Sequence, residues 1–317
     1  MKKFIRHTLH TIEAVMLFIA GMWCVGVAVW FWQFSAAEVI LWSAVLLVIW
    51  IAGFAKVHAR VALFVIELCV AGSFALQTPE KQFDGKAWRA ECKNIAEISW
   101  LKDDMVKIGN VRDFKYRTPG DFDRGYRDVI VDLKKLESMD IAFSHWDEME
   151  MVAHMLLCFN FKDGQKLAVS LEPRVPEGMH GGDFFLGLYR RYGQMMIIGT
   201  PEDLLDLRSK YRGETLYLYR TIAGGEVLRR IFCRVLKDAE KLQSQPEFYN
   251  SLTENCTTGL LNAINQEDSL RGWDMRKLFN GFYDKYLFEK DFLERRSGES
   301  FGSLKSRSYV PGLSSGN

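Results

Sequence analysis

The sequence predicts an α+β protein in two parts: a three-helix membrane anchor over residues 1–79, and a soluble domain over residues 80–296 that joins an antiparallel sheet to a cysteine-bearing helix. Three apolar runs fill the first 76 of the 317 residues. Each is close to the about 20 residues that cross a hydrocarbon core. Residues 152–172 read as two strands around the turn Lys162-Asp163-Gly164, rich in residues that tolerate left-handed backbone. Asn255-Cys256-Thr257-Thr258 then places a thiol at the start of a helix, after the turn-prone run 249–254 and before an apolar stretch.

The predicted spans are residues 14–34, 39–55 and 61–76. Trp30, Trp32, Trp42 and Trp50 lie toward their ends, where amphipathic rings favour the headgroup layer. A cleaved signal peptide is the rival reading of the first run, but no small-residue cleavage site follows it and two more runs do. Up to Pro79 the basic residues are Lys2, Lys3, Arg6, Lys56 and Arg60, and the acidic ones Glu13, Glu38 and Glu67. The basic residues precede the first span and fill the second connection, so both segments face the cytoplasm. Three crossings then put the soluble domain outside, in the periplasm or at the exterior of a bacterial inner, multi-pass membrane protein. Glu67 within the third span reads as a protonated or helix-packing carboxyl ahead of a substrate-handling one.

Beyond the spans the chain is charge-balanced, with 36 Lys+Arg against 37 Asp+Glu after Pro79. With no basic cluster interleaved with aromatics, nucleic acid is excluded as an expected partner. Six cysteines show no metal-ligand spacing, so no metal and no cofactor is expected. Cys24 and Cys69 fall in spans, and an oxidising compartment leaves room for a Cys92–Cys233 bridge. Strand-like stretches occupy residues 105–116, 126–136, 141–146, 197–199 and 216–219, with a connecting segment at 82–93 and a linker or helical turn at 147–152. Residues 201–207 and 225–243 read as helices, and Val227, Leu228, Ile231, Phe232, Val235 and Leu236 recur at helical spacing to cover a sheet. The tail 297–317, rich in Ser, Gly and basic residues, reads as flexible.

A thiol at a helix start is a candidate nucleophile, because unpaired N–H groups and the positive dipole end favour thiolate. The competing reading is a small buried hydrophobe. A base is needed, and only His145, His154 and His180 lie beyond the spans. His154 is best placed, on a strand that can fix an imidazole. A three-residue loop with Gly164 left-handed puts Glu172 opposite His154 as an orienting carboxylate, whereas a two-residue turn sends it to the other face. The N–H groups of Cys256 and Thr257, in a turn begun by Asn255, are candidate oxyanion donors. Arg112, Arg117 and Arg174 are candidate phosphate contacts.

Further motifs carry a resemblance: Asn110-Val111-Arg112-Asp113-Phe114-Lys115-Tyr116-Arg117-Thr118, Ala153-His154, Phe159-Asn160-Phe161, Ser170-Leu171-Glu172-Pro173-Arg174, Tyr211-Arg212-Gly213-Glu214, Phe248-Tyr249-Asn250 and Asn255-Cys256-Thr257-Thr258. In this order, over residues 95–287, the chain is similar to the Lnb N-terminal periplasmic domain family. That family resembles a permuted branch of the papain-like, NlpC-type thiol hydrolases, in which the histidine strand precedes the cysteine helix. The resemblance implies Cys256 as nucleophile, His154 as base and Glu172 as orienter in a lipoprotein N-acyltransferase. Such an enzyme moves an acyl chain from membrane phospholipid, through a Cys256 thioester, to a lipoprotein N-terminal amine. An envelope cysteine peptidase or amidase would use the same pair with water as acceptor, and a membrane-tethered binding module would leave the thiol inert. Pro173, directly after Glu172, limits the ladder bonds that strand can make.

Overall fold

The computed structural model describes residues 2–55, 57–146, 150–253, 255–264, 267, 270, 274–277 and 279–312. Residues 147–149 of the expected linker, Glu254 of the turn-prone run and residues 313–317 of the tail lie outside them. Two compact units result, one of residues 1–85 with 182–192, the other of residues 86–181 with 193–317. The first unit thus runs to residue 85 and takes in residues 182–192, an insert in the sheet-bearing stretch that packs with the apolar helices.

The first unit holds α1 (Lys2–Gly26), ending in the π-helical turn Val27–Phe31, then α2 (Ala36–Ala55) and α3 (Val57–Ala75). Three stretches are long and apolar enough to cross a membrane: His10–Phe31, Ala36–Gly53 and His58–Ala75. Ser35 opens α2 with a reciprocal cap, its N–H donating to Glu38 Oε2 at 2.8 Å while its Oγ accepts from the Glu38 N–H at 3.4 Å. Cys24, Val27, Leu63 and Val70 are buried between the helices, and Trp50 Nε1 donates to Ala14 O at 3.1 Å. Glu67 is also buried, beside Gly21, and its Oε1 has no partner among the described residues. The short α4 (Pro79–Phe83) follows, capped by Thr78.

The second unit is a sheet of β1 (Glu97–Trp100), β2 (Met105–Arg112), β5 (Tyr126–Asp132), β6 (Leu136–His145), β7 (Ala153–Phe161), β8 (Lys166–Arg174), β9 (Gly193–Gly199), β10 (Thr215–Arg220) and β11 (Tyr309–Val310). Among the described residues its order is β1-β2-β9-β8-β7-β6-β10-β11, with β5 also on β2; the ribbon β3 (Lys115–Thr118) and β4 (Asp121–Asp123) stands apart. All pairings are antiparallel except a single parallel bridge between Arg112 and Gly199. The central β7 is buried at eight of nine positions, which is why it reads as an almost continuous apolar run. The amphipathic α7 (Gly225–Ser244) buries Leu228, Ile231, Phe232, Val235, Leu236, Ala239 and Leu242. Its Phe232 ring lies 4.7 Å from that of Phe159. Beside it is α8 (Cys256–Ile264). Gly259 lets α8 approach β8, since a Cβ there would lie 3.0 Å from Leu171 Cδ2.

Two expectations change. The strand at 141–146 is only the end of β6, whose first half is masked in sequence by Glu137 and Asp140; Asp140 is satisfied by Arg220 and by Asn160 Nδ2 at 2.9 Å. The tail is ordered as far as the described residues reach. Ser300 caps α10 (Phe301–Arg307), Leu304 is buried, and β11 pairs with β10. Short polar elements of this kind become ordered by docking, which composition does not reveal. Beyond the first unit are also α6 (Pro201–Asp206), running into a π-helical turn at Leu207–Tyr211, and α9 (Tyr283–Glu289). All six cysteines are free thiols, so Cys92 and Cys233 are not bridged.

Candidate active site

The register of the β7–β8 hairpin decides which side chains meet. Gly164 has φ +85, its N–H donates to Phe161 O at 3.0 Å, and Asn160 pairs with Lys166. This is the three-residue loop, and it carries Glu172 to the face of His154. His154 Nε2 lies 2.6 Å from Ser170 Oγ and 3.2 Å from Glu172 Oε1, and Ser170 Oγ donates to Glu172 Oε1 at 2.7 Å. Because the Ser170 proton is spent on the carboxylate, its oxygen accepts from the imidazole. Nε2 is therefore the protonated nitrogen, and Nδ1 is left to meet the thiol. Cys256 Sγ lies 3.8 Å from Thr257 Oγ1, and the thiol is near enough to His154 for the two to be coupled electrostatically.

Their electrostatics follow from burial and charge. His154 and Cys256 are 6% and 7% exposed. Burial and the Arg208 guanidinium push the imidazole down, but Glu172 and Cys256 outweigh them and raise it to about 9. Burial alone would raise the Cys256 thiol; the His154 charge brings it below its ordinary value. Burial also opposes ionisation of Glu172, yet His154 and Arg208 hold it well below the usual carboxylate range. Both shifts act in favour of thiolate beside imidazolium.

Helix α8 begins with Asn255, whose Oδ1 accepts the N–H groups of Thr257 and Thr258, both at 3.0 Å. The Thr257 N–H is thus already used and is not a free oxyanion donor. The Cys256 N–H has no partner among the described residues. Thr257 faces inward instead, its hydroxyl accepting from the Asn280 amide.

Asn280 also closes the β7 backbone beyond the β7–β8 ladder, which ends at Leu157 and Val169, four residues before Pro173. Phe161 N–H reaches Gln165 O across the hairpin at 3.0 Å, and the two-residue period turns Ala153 the same way. No β8 donor meets it there, and Asn280 takes both groups: its Oδ1 accepts from Ala153 N–H at 2.8 Å and its Nδ2 donates to Ala153 O at 2.7 Å. Asn280→Ala is expected to cost about 3 kcal/mol by stranding these buried groups. A thermal melt unchanged from wild type would refute this role.

The three candidate arginines do not converge on the site. Arg112 is buried in a bidentate pair with Asp203, at 3.0 and 2.8 Å. Arg117 pairs with Asp121 and Asp123 on the surface, and Arg174 donates to the carbonyls of Cys92 and Lys93 while lying over the Trp88 ring. Instead Arg208, 2% exposed, donates to Glu172 Oε1 at 2.6 Å. Ser170, Arg208 and Asn280 were not singled out from sequence; only Ser170, two residues from Glu172 on one strand face, left a signal there. His145 is buried at the end of β6, edge-on to Tyr217, and His180 is exposed in the loop after β8. Among the described residues no group of three or more His, Cys, Asp or Glu is arranged to hold a metal ion. A concavity of about 560 Å³ at Phe288 and residues 295–300 shares no residue with the site.

A histidine strand, an orienting carboxylate and a cysteine helix thus occur in the chain order of the motifs. Residues 124–281 match the model of the Lnb N-terminal periplasmic domain family. The matched stretch includes His154, Ser170, Glu172, Arg208, Cys256 and Asn280, so the whole constellation lies within the Lnb-type segment. Ahead of it come the three apolar helices, and together they fit a membrane protein with a periplasmic domain. No curated protein and no solved structure matches the chain.

Proposed function

We propose that the protein is a thiol acyltransferase anchored in the bacterial inner membrane, with a permuted papain-like domain working on the periplasmic side. The buried Cys256–His154–Glu172 set carries this reading, because a depressed thiol beside a raised imidazole is what covalent acyl chemistry requires. The Cys256 thiolate attacks the carbonyl carbon of a phospholipid acyl ester. The ester C–O bond breaks, and the His154 imidazolium gives its proton to the departing glycerol oxygen, leaving an acyl thioester and a lysophospholipid. An amine, which the family resemblance suggests is a lipoprotein N-terminus, then attacks the thioester carbon. His154 takes the amine proton, the C–S bond breaks, and the thiolate is restored with the acyl chain now in an amide.

Glu172, steadied by Ser170 and Arg208, holds the imidazole in one tautomer through both steps. The Cys256 N–H is the remaining backbone donor for the oxyanion. Anchoring keeps the site close to lipid, raising its effective concentration. The test is intact-protein mass spectrometry of the full chain in phospholipid vesicles without acceptor. A long-chain acyl adduct on Cys256, discharged by a lipopeptide amine, is expected. No adduct, together with cleavage of envelope peptides, would favour the peptidase or amidase; neither activity would leave a binding module.

A further inference from the structure

Between β8 and β9 the chain leaves the sheet, and residues 182–192 pack with the apolar helices instead. The insert is a single helical turn, α5 (Phe184–Leu188), begun by Asp183 Oδ1 accepting from Leu186 N–H at 2.9 Å. It ends at Arg190, whose backbone is left-handed at φ +57, a conformation that a residue with a Cβ adopts only at a cost. What holds it there is visible. Arg190 Nη1 donates to Phe74 O at 2.8 Å, with its guanidinium 4.4 Å from the Phe74 ring, and Arg191 Nη1 donates to Phe31 O at 3.1 Å.

Phe31 ends the first membrane-length stretch and Phe74 lies one residue from the end of the third. The insert therefore sits at the exit end shared by both. Trp30 stacks on Phe185 at 4.7 Å and on Tyr189 at 5.4 Å. Gly26 makes room for this docking, since a Cβ there would lie 1.8 Å from Tyr189 Oη. Phe184 and Phe185 remain 47% exposed each. Adjacent exposed phenyl rings, flanked by Trp30 and by two arginines at the ends of spans, have the composition of the membrane–water interface.

We infer that residues 182–192 form a second membrane contact, an insert whose phenyl rings enter the phospholipid headgroup layer at the exit of the first and third helices. The continuity with the lipid-facing flank of α1, where Ile19 and Met22 are exposed, identifies that layer as the occupant, and Arg190 and Arg191 bring cationic groups to the depth of lipid phosphate. The inference rests on reading the helices as spans and not on the thiol chemistry.

The test places the photocrosslinker p-benzoylphenylalanine at Phe184 or Phe185 of the full chain in phospholipid nanodiscs and reads lipid adducts by intact mass. Yields close to that from the same probe at Ile19, and about tenfold above that at the exposed Ile222, are expected. Gly26→Leu, which drives a side chain into Tyr189, should cut the Phe185 yield while sparing Ile19. Yields at both phenylalanines no higher than at Ile222 overturn the inference, and so does a Phe185 yield indifferent to Gly26→Leu. Cys256→Ala should change none of these yields, so the outcome stands apart from the fate of the acyltransferase reading.

Discussion

Replacing His154 with glutamine is expected to lower acyl transfer by about 10²–10⁴-fold and to slow iodoacetamide labelling of Cys256 near pH 6 to below the rate of an ordinary thiol. Without the imidazole, burial is left as the dominant influence on the thiol, and burial raises it. In the wild type, labelling should begin at lower pH than for a free thiol of about 8.5, because the thiolate is the nucleophile. Transfer should be bell-shaped in pH. Its acid limb is the ionisation of Cys256, and its alkaline limb, at about 9, is the loss of the imidazolium proton needed by the leaving group. Burial and Arg208 oppose that high value, so Glu172→Gln, which removes the largest group raising it, should move the alkaline limb down. Labelling kinetics of His154→Gln identical to wild type would end the case for the pair.

Asp203→Ala is expected to be the most destabilising single change among the charged residues, by about 3–5 kcal/mol, because it strands a buried guanidinium. Asp203 is wholly buried; it accepts two bonds from Arg112, the Phe114 N–H at 2.8 Å and the Tyr116 hydroxyl at 3.2 Å. For a domain of this size the loss corresponds to a fall in Tm of about 10 °C. The double change Arg112→Met with Asp203→Leu should recover much of it, since an apolar pair is often as stable as a buried ion pair. If Arg112→Met alone left the melt unchanged while weakening phospholipid binding, Arg112 would return as a lipid ligand.

The parts legible in the sequence were those written in local periodicity. Span lengths, the α7 stripe and the hairpin turn each follow from residues within one or two dozen positions, and the hairpin in turn narrowed the His154–Glu172 relation to two registers. Cys256 could be placed at a helix start, but its meeting with His154 spans 102 positions and needed the motif order as well as the turn. Arg208 and Asn280 were not legible. Their roles depend on where α6 and the segment before α9 return to the sheet, and nothing in their own neighbourhood distinguishes them from a surface arginine or a turn asparagine. The same lack of local signal made Arg112, Arg117 and Arg174 look available when each was already paired. Pro173 broke no ladder, since the β8–β9 pairing runs through it, and nothing near Ala153 pointed to Asn280 as its partner.

The opposed shifts of Cys256 and His154 have a consequence for folding. In the unfolded chain between about pH 6.5 and 9 the thiol keeps its proton and the imidazole has none; folding biases both the other way, raising the imidazole from 6.5 to about 9 and lowering the thiol. Folding thus favours passing a proton from one group to the other over exchanging it with solvent. A raised histidine by itself stabilises fully below 6.5 and loses that contribution as pH climbs through its folded value, whereas a depressed thiol contributes above its unfolded value and loses that as pH falls through its folded one, so the two slopes oppose each other. The protein therefore carries its charge-separated, reactive couple with a smaller pH dependence of stability than either shifted group would impose alone.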